Sequence, residues 1–102
     1  GGENISSLEV EDVLYRHPDV DEVAVIAMLD EKWGEVPCAF VKLKEGRVLS
    51  QAELIAFCRE QLSAIKCPRS IDFQAELPRH PTGKLYKRLL RDRYWQGRAA
   101  RI

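Results

Sequence analysis

Val20-Asp21-Glu22-Val23-Ala24-Val25-Ile26-Ala27-Met28-Leu29 is β-branched or apolar at nearly every position after Glu22. A run without polar alternation reads as a strand buried on both faces. It is far too short to span a bilayer. Downstream, Asp30 to Glu35 is a polar loop containing Trp33. Pro37 to Leu43 reads as a second strand, which Glu45-Gly46 ends.

Two helices announce themselves by the same device. Ser6-Ser7-Leu8-Glu9 is a capping box, with Ile5 and Val10 placed as a hydrophobic staple. That helix continues through Val13 and Leu14 and stops at His17-Pro18. Glu3, Glu9, Glu11 and Asp12 lie near its N-terminus, where the helix dipole favours carboxylates. Ser50-Gln51-Ala52-Glu53 repeats the box, with Leu49 and Leu54 as the staple. Leu54, Ile55, Phe57, Cys58 and Leu62 trace the apolar face of the second helix, which ends before Pro68. Ser70 to Gln74 then alternates, with Ile71 and Phe73 on one side, as a half-buried third strand.

Pro78-Arg79-His80-Pro81-Thr82-Gly83-Lys84-Leu85-Tyr86-Lys87 follows. Two prolines hold it out of helix. Thr82-Gly83 supplies a turn in which Gly can take φ > 0. Lys84 stands at the tip as a compact charge with three donors. Such a loop can hold a cation against an anion; the plainer reading is a solvated connection. A last helix begins near Tyr86, with Leu85, Leu89 and Leu90 inward and Lys87, Arg88 and Arg91 outward. Residues 96–102 carry no pattern and are expected to fray. The order α-β-β-α-β-α predicts an α+β domain, a small three-stranded sheet with helices packed against it.

The chain has 102 residues, enough for one hydrophobic core. It opens at Gly1-Gly2 without a methionine and is expected to be a segment of something longer, with no leader visible. Cys38, Cys58 and Cys67 are widely spaced with no C-x-x-C, and read as reduced thiols of a cytoplasmic protein, not as metal ligands. Lys plus Arg and Asp plus Glu number 16 each, but unevenly. Residues 1–51 hold five basic and eleven acidic residues, and residues 52–102 the reverse. A basic tail suits nucleic acid, a polyphosphate or an acidic partner domain. The acidic first half, the zero net charge and the absence of aromatic residues on an evident sheet face argue against nucleic acid.

Pro78 to Lys87 resembles the lysine motif that closes AMP-forming acyl-CoA synthetases and their adenylating relatives. Gly1-Gly2-Glu3-Asn4-Ile5, with Glu9-Val10-Glu11, is similar to the glycine motif just after their hinge. The separation of the motifs and the element order match as well, over residues 1–95. The resemblance implies the C-terminal lid of such an enzyme. A larger N-terminal domain would hold ATP, its Mg2+ and the carboxylic acid. Carboxylate and ATP give acyl-adenylate and pyrophosphate, and CoA thiol then gives the thioester. The lid turns between the two steps.

Carried onto this sequence, the resemblance makes Lys84 the adenylation lysine, a point charge stabilising the phosphoryl transfer. It assigns Gly1, Gly2, Trp33 and Lys66 to the CoA side. At Lys66 the neighbours depart from the usual pattern, being Ile65 and Cys67 in place of aromatic and Arg. Some relatives are switched off by a lysine acyltransferase acting at the position of Lys84. The resemblance also leaves room for an adenylation domain that loads a carrier protein.

Overall fold

The computed structural model describes residues 7–30, 32, 34–85 and 87–99. The order is α1 (Ser7–Tyr15), β1 (Val20–Asp30), β2 (Gly34–Leu43), α2 (Gln51–Arg59), a 3₁₀ turn (Ala64–Lys66), β3 (Ser70–Phe73) and α3 (Lys87–Ala99). This is the expected α-β-β-α-β-α sequence. The sheet is ordered β1-β2-β3. β1 and β2 are antiparallel, with Val25 opposite Ala39. β3 lies parallel to β2, with Ile71 beside Ala39, and α2 lies in the crossover that parallel neighbours require.

Pro37 occupies the central strand, where a missing N–H ordinarily costs a ladder bond. Its carbonyl accepts from Arg69 N at 2.8 Å, so its backbone polar groups face the β3 side. Pairing with β3 starts one residue later, at Cys38. The absent donor therefore falls outside the ladder.

The unbroken apolar run of β1 is explained by two separate cores. Val23 and Val25 pack with Val10, Val13 and Leu14 of α1, Leu54 and Cys58 of α2, Cys67 and Ile71. Ala24, Ile26 and Met28 point the other way, to Val36, Cys38, Phe40, Leu77 and Leu90 of α3. The sheet thus separates a layer of two helices from a layer made by α3 and the segment leading to it.

The capping box of α2 forms as expected. Glu53 N donates to Ser50 Oγ at 3.0 Å and Ser50 N donates to Glu53 Oε1 at 3.1 Å. Ser6 and Ile5, the first half of the corresponding box and staple on α1, lie outside the described residues. α1 closes slightly before His17-Pro18, through Arg16 N to Val13 O and His17 N to Leu14 O, each 3.1 Å. α2 stops at Arg59, earlier than the approach of Pro68 suggested, and the 3₁₀ turn fills part of the difference. α3 extends to Ala99, taking in part of the stretch expected to fray.

β1 is an edge strand, and its open side is covered by α1. Tyr15 Oη accepts from Val23 N at 3.1 Å and lies 3.4 Å from Val23 O. One helical turn earlier, Glu11 Oε2 accepts from Val25 N at 2.8 Å. Two side chains spaced i, i+4 thus bind outward-facing backbone groups two residues apart on the strand. An edge satisfied in this way is a poor template for another strand.

Candidate functional site

The lysine loop is a closed hairpin. Gly83 N donates to His80 O and His80 N donates to Lys84 O, both at 2.8 Å. Arg79 and Leu85 form an antiparallel bridge beyond them. Pro81 occupies the first central position, for which its fixed φ is preset. No described non-glycine residue has positive φ, so Thr82 excludes a type II turn. Gly83 takes φ 91°. Together these make a type I turn followed by a left-handed bulge residue, a standard three-residue hairpin loop. A Cβ on Gly83 would meet nothing within 4 Å; the backbone angle, not crowding, is what favours glycine.

Both legs of the hairpin are anchored in the α3-side core, by Leu77, which is buried, and Leu85, which is half-buried. Lys84 itself is exposed. Arg79 fixes the hairpin from within. Its Nη1 donates to Gly83 O at 2.6 Å, and its Nη2 pairs with Glu22 Oε1 on β1. Glu22 faces this layer because the register shifts between Val20 and Glu22. Val20 and Val23 both serve the α1–α2 core, so the alternation changes phase at Asp21, as a bulge produces. The second oxygen, Glu22 Oε2, is 3.9 Å from Lys42 Nζ, which also approaches Asp21 (3.3 Å) and Glu76 (3.7 Å).

Lys66 lies elsewhere. It ends the 3₁₀ turn, next to Cys67 of the α1–α2 core. Its Nζ is 3.0 Å from Glu9 Oε1 and 3.3 Å from Oε2. The structure therefore holds Lys66 to the start of α1, with Ile65 exposed beside it. Lys66 and Lys84 belong to opposite layers of the sheet. Gly1, Gly2 and Trp33 lie outside the described residues.

Lys87, expected on an outward basic stripe, instead pairs with Glu11: Nζ and Oε2 are 2.6 Å apart. Glu11 was expected to favour the helix dipole and, by the resemblance, to belong to the glycine motif; it is also nearly buried and joins α1, β1 and α3. Glu22 and Arg79 were likewise not singled out by the sequence. The i, i+4 spacing of Glu11 and Tyr15 was the available signal for the first; the Asp21-Glu22 pair leading into an apolar strand was a weaker one for the second.

Cys38, Cys58 and Cys67 are buried thiols. Burial, with a smaller contribution from Cys67, pushes Cys58 up to about 12. Burial also raises Cys67, against the opposing effect of Arg59. Among the described residues, no group of three or more His, Cys, Asp or Glu is placed to hold a metal ion.

Residues 9–84 match the family profile of the AMP-binding enzyme C-terminal domain. The chain belongs to this family. The matched segment of this AMP-binding enzyme C-terminal domain runs from the glutamate that holds Lys66 to Lys84, which the structure places at the first residue of the hairpin's return leg and not at its tip as expected. Similar curated proteins include a 2-methylpropanoate–CoA ligase of Humulus lupulus, 50% identical over 94 residues, covering 90% of this chain and 17% of that protein. A peroxisomal butyrate–CoA ligase of Arabidopsis thaliana is 53% identical over 95 residues, with the same coverage of 90% and 17%. Among solved structures, a Mycobacterium tuberculosis fatty acyl CoA synthetase superposes with a TM-score of 0.82 at 41% identity, covering 92% of this chain and 18% of the other. ATP-bound MatB from Rhodopseudomonas palustris gives 0.86 at 32% identity, covering 92% and 19%. The chain thus spans under a fifth of the length of these proteins.

Proposed function

We propose that this domain is the mobile lid of an AMP-forming acyl-CoA synthetase and that Lys84 serves its adenylation step. The observation that carries the reading is the hairpin, which fixes the backbone at Lys84 while leaving its ammonium exposed. The whole enzyme would join a carboxylic acid to the α-phosphate of ATP, release pyrophosphate, and pass the acyl group to CoA. Attack of one anion on another builds charge on the phosphoryl oxygens. A protonated Lys84 brought there by the lid would oppose that charge, and one such preorganised donor contributes about 10²–10³-fold. Mg2+ would accompany the nucleotide in the N-terminal domain.

Lys66, with Gly1, Gly2 and Trp33, is assigned to the CoA step. The positions of Lys66 and Lys84 in opposite layers support a lid that presents one face to each half-reaction. Binding CoA phosphate at Lys66 would compete with Glu9 for its ammonium. Acylation of Lys84 by a lysine acyltransferase would remove the charge that adenylation needs, which makes this exposed side chain a regulatory position as well. No helix among the described residues is long and apolar enough to cross a membrane. Buried thiols favour a cytoplasmic setting, whereas a butyrate–CoA ligase relative is named peroxisomal; fractionation of the whole protein separates the two.

The test is pyrophosphate–ATP exchange by the full-length enzyme across a panel of carboxylic acids, followed by CoA or a carrier protein as acceptor. Acid-dependent exchange with thioester formed on CoA is expected. Exchange with transfer only to a carrier protein would reassign the acceptor, and no exchange with any acid would refute the adenylation reading.

A further inference from the structure

Among the described residues, the Arg79 side chain links the hairpin backbone to a side chain of the sheet. One arm of its guanidinium holds Gly83 O, the carbonyl immediately before Lys84. The other pairs with Glu22. Glu22 is only 14% exposed at its side chain and lies on the first strand of the sheet, opposite Lys42. A planar fork with donors in fixed directions suits such a bridge, and a lysine could satisfy only one end.

We infer that Arg79 and Glu22 are positioning residues for Lys84: a clamp from β1 to the carbonyl preceding the lysine fixes where its ammonium arrives when the lid closes. The inference rests on Lys84 acting in adenylation. The hairpin has two backbone hydrogen bonds of its own, which set its shape, but they do not set its attitude to the sheet. Leu77 and Leu85 seat its legs on the core, and Arg79 adds a directional link at the residue next to the lysine. The bulge at Asp21 is what turns Glu22 toward this layer, so the aim of the lysine is coupled to an irregularity in a strand distant from it in sequence. A displacement of about 1 Å at a reacting group can cost about 10²-fold in rate.

The test uses the full-length enzyme and measures both half-reactions: adenylation by pyrophosphate release, and thioester formation from supplied acyl-adenylate. Arg79→Ala is expected to lower kcat for adenylation about 10- to 100-fold with little change in KM for ATP, leaving the second half-reaction within about twofold. Glu22→Gln is expected to lower the same kcat, and Arg79→Lys to restore only part of it. In a Lys84→Ala background, Arg79→Ala should have almost no further effect, because the two residues act as a unit. Melting temperatures of the variants report folding. If Arg79→Ala does not fold, Arg79→Lys and Glu22→Gln carry the test through the ratio of the two half-reactions.

Equal loss in both half-reactions, or additive effects of Arg79→Ala and Lys84→Ala, would overturn the clamp. So would a raised KM for ATP with unchanged kcat in Arg79→Ala and no defect in Glu22→Gln, which would make Arg79 a direct phosphate contact. If Lys84→Ala alone leaves adenylation intact, the function of Lys84 is refuted and the clamp loses its purpose. If Lys84→Ala is defective while Arg79 and Glu22 variants are normal, only the clamp is refuted.

Discussion

Lys87 at the start of α3 places its ammonium 2.6 Å from Glu11 Oε2 on α1. The same carboxylate oxygen accepts the Val25 amide at 2.8 Å. One acidic side chain therefore closes the open edge of β1 and ties it to the helix that follows the lysine hairpin. A surface pair would contribute little, but Glu11 is only 11% exposed at its side chain, and a buried strand amide depends on it.

Glu11→Ala is expected to destabilise the domain by about 1.5–3 kcal/mol, the range for hydrogen bonds to a charged group. Lys87→Ala should cost no more than about 1 kcal/mol, since its end of the pair is partly solvated. Urea unfolding gives the two values. Hydrogen exchange should show the Val25 amide losing protection in Glu11→Ala. Equal costs, or an unchanged Val25 amide, would argue against edge closure by Glu11.

Ser50→Ala removes the acceptor for Glu53 N at the start of α2. The expected cost is about 1 kcal/mol. It should appear as a lower denaturation midpoint with an unchanged denaturant slope.

Cys58 gives a pH signature. Its ordinary value of 9.0 rises to about 12 in the folded domain. Between those values the unfolded chain loses the thiol proton while the folded chain keeps it. Stability attributable to this group is therefore complete below about pH 9 and falls as pH rises toward 12, with a limiting slope of about 1.4 kcal/mol per pH unit. Cys58→Ala should flatten this part of the stability profile. It should also cost some stability at neutral pH through the space it leaves in the α1–α2 core. An unchanged alkaline slope would show that the thiol is not held protonated by burial.

The sheet and helices were legible because their signals are local. The β1 run announced burial on both faces, and Ser50-Gln51-Ala52-Glu53 announced a helix start. The turn at Thr82-Gly83 was legible for the same reason, but its closure into a hairpin by His80 and Lys84 was not. The clamps were not. Glu11 to Lys87, Glu22 to Arg79 and Glu9 to Lys66 join positions far apart in the chain, and a carboxylate on an amphipathic segment has the same sequence signature whether it is solvated or paired. The charge imbalance between the halves was visible, but not that part of it is satisfied inside the domain. These three pairs absorb acids of the first half and bases of the second within the domain.

Lys84 is proposed to act on one half-reaction only. The direct measurement compares Lys84→Ala with the unmodified full-length enzyme in adenylation and in thioester formation from supplied acyl-adenylate. Adenylation is expected to be slower by about 10²–10³-fold, with thioester formation within about twofold. Loss of both half-reactions to the same extent, in a variant that melts normally, would contradict it.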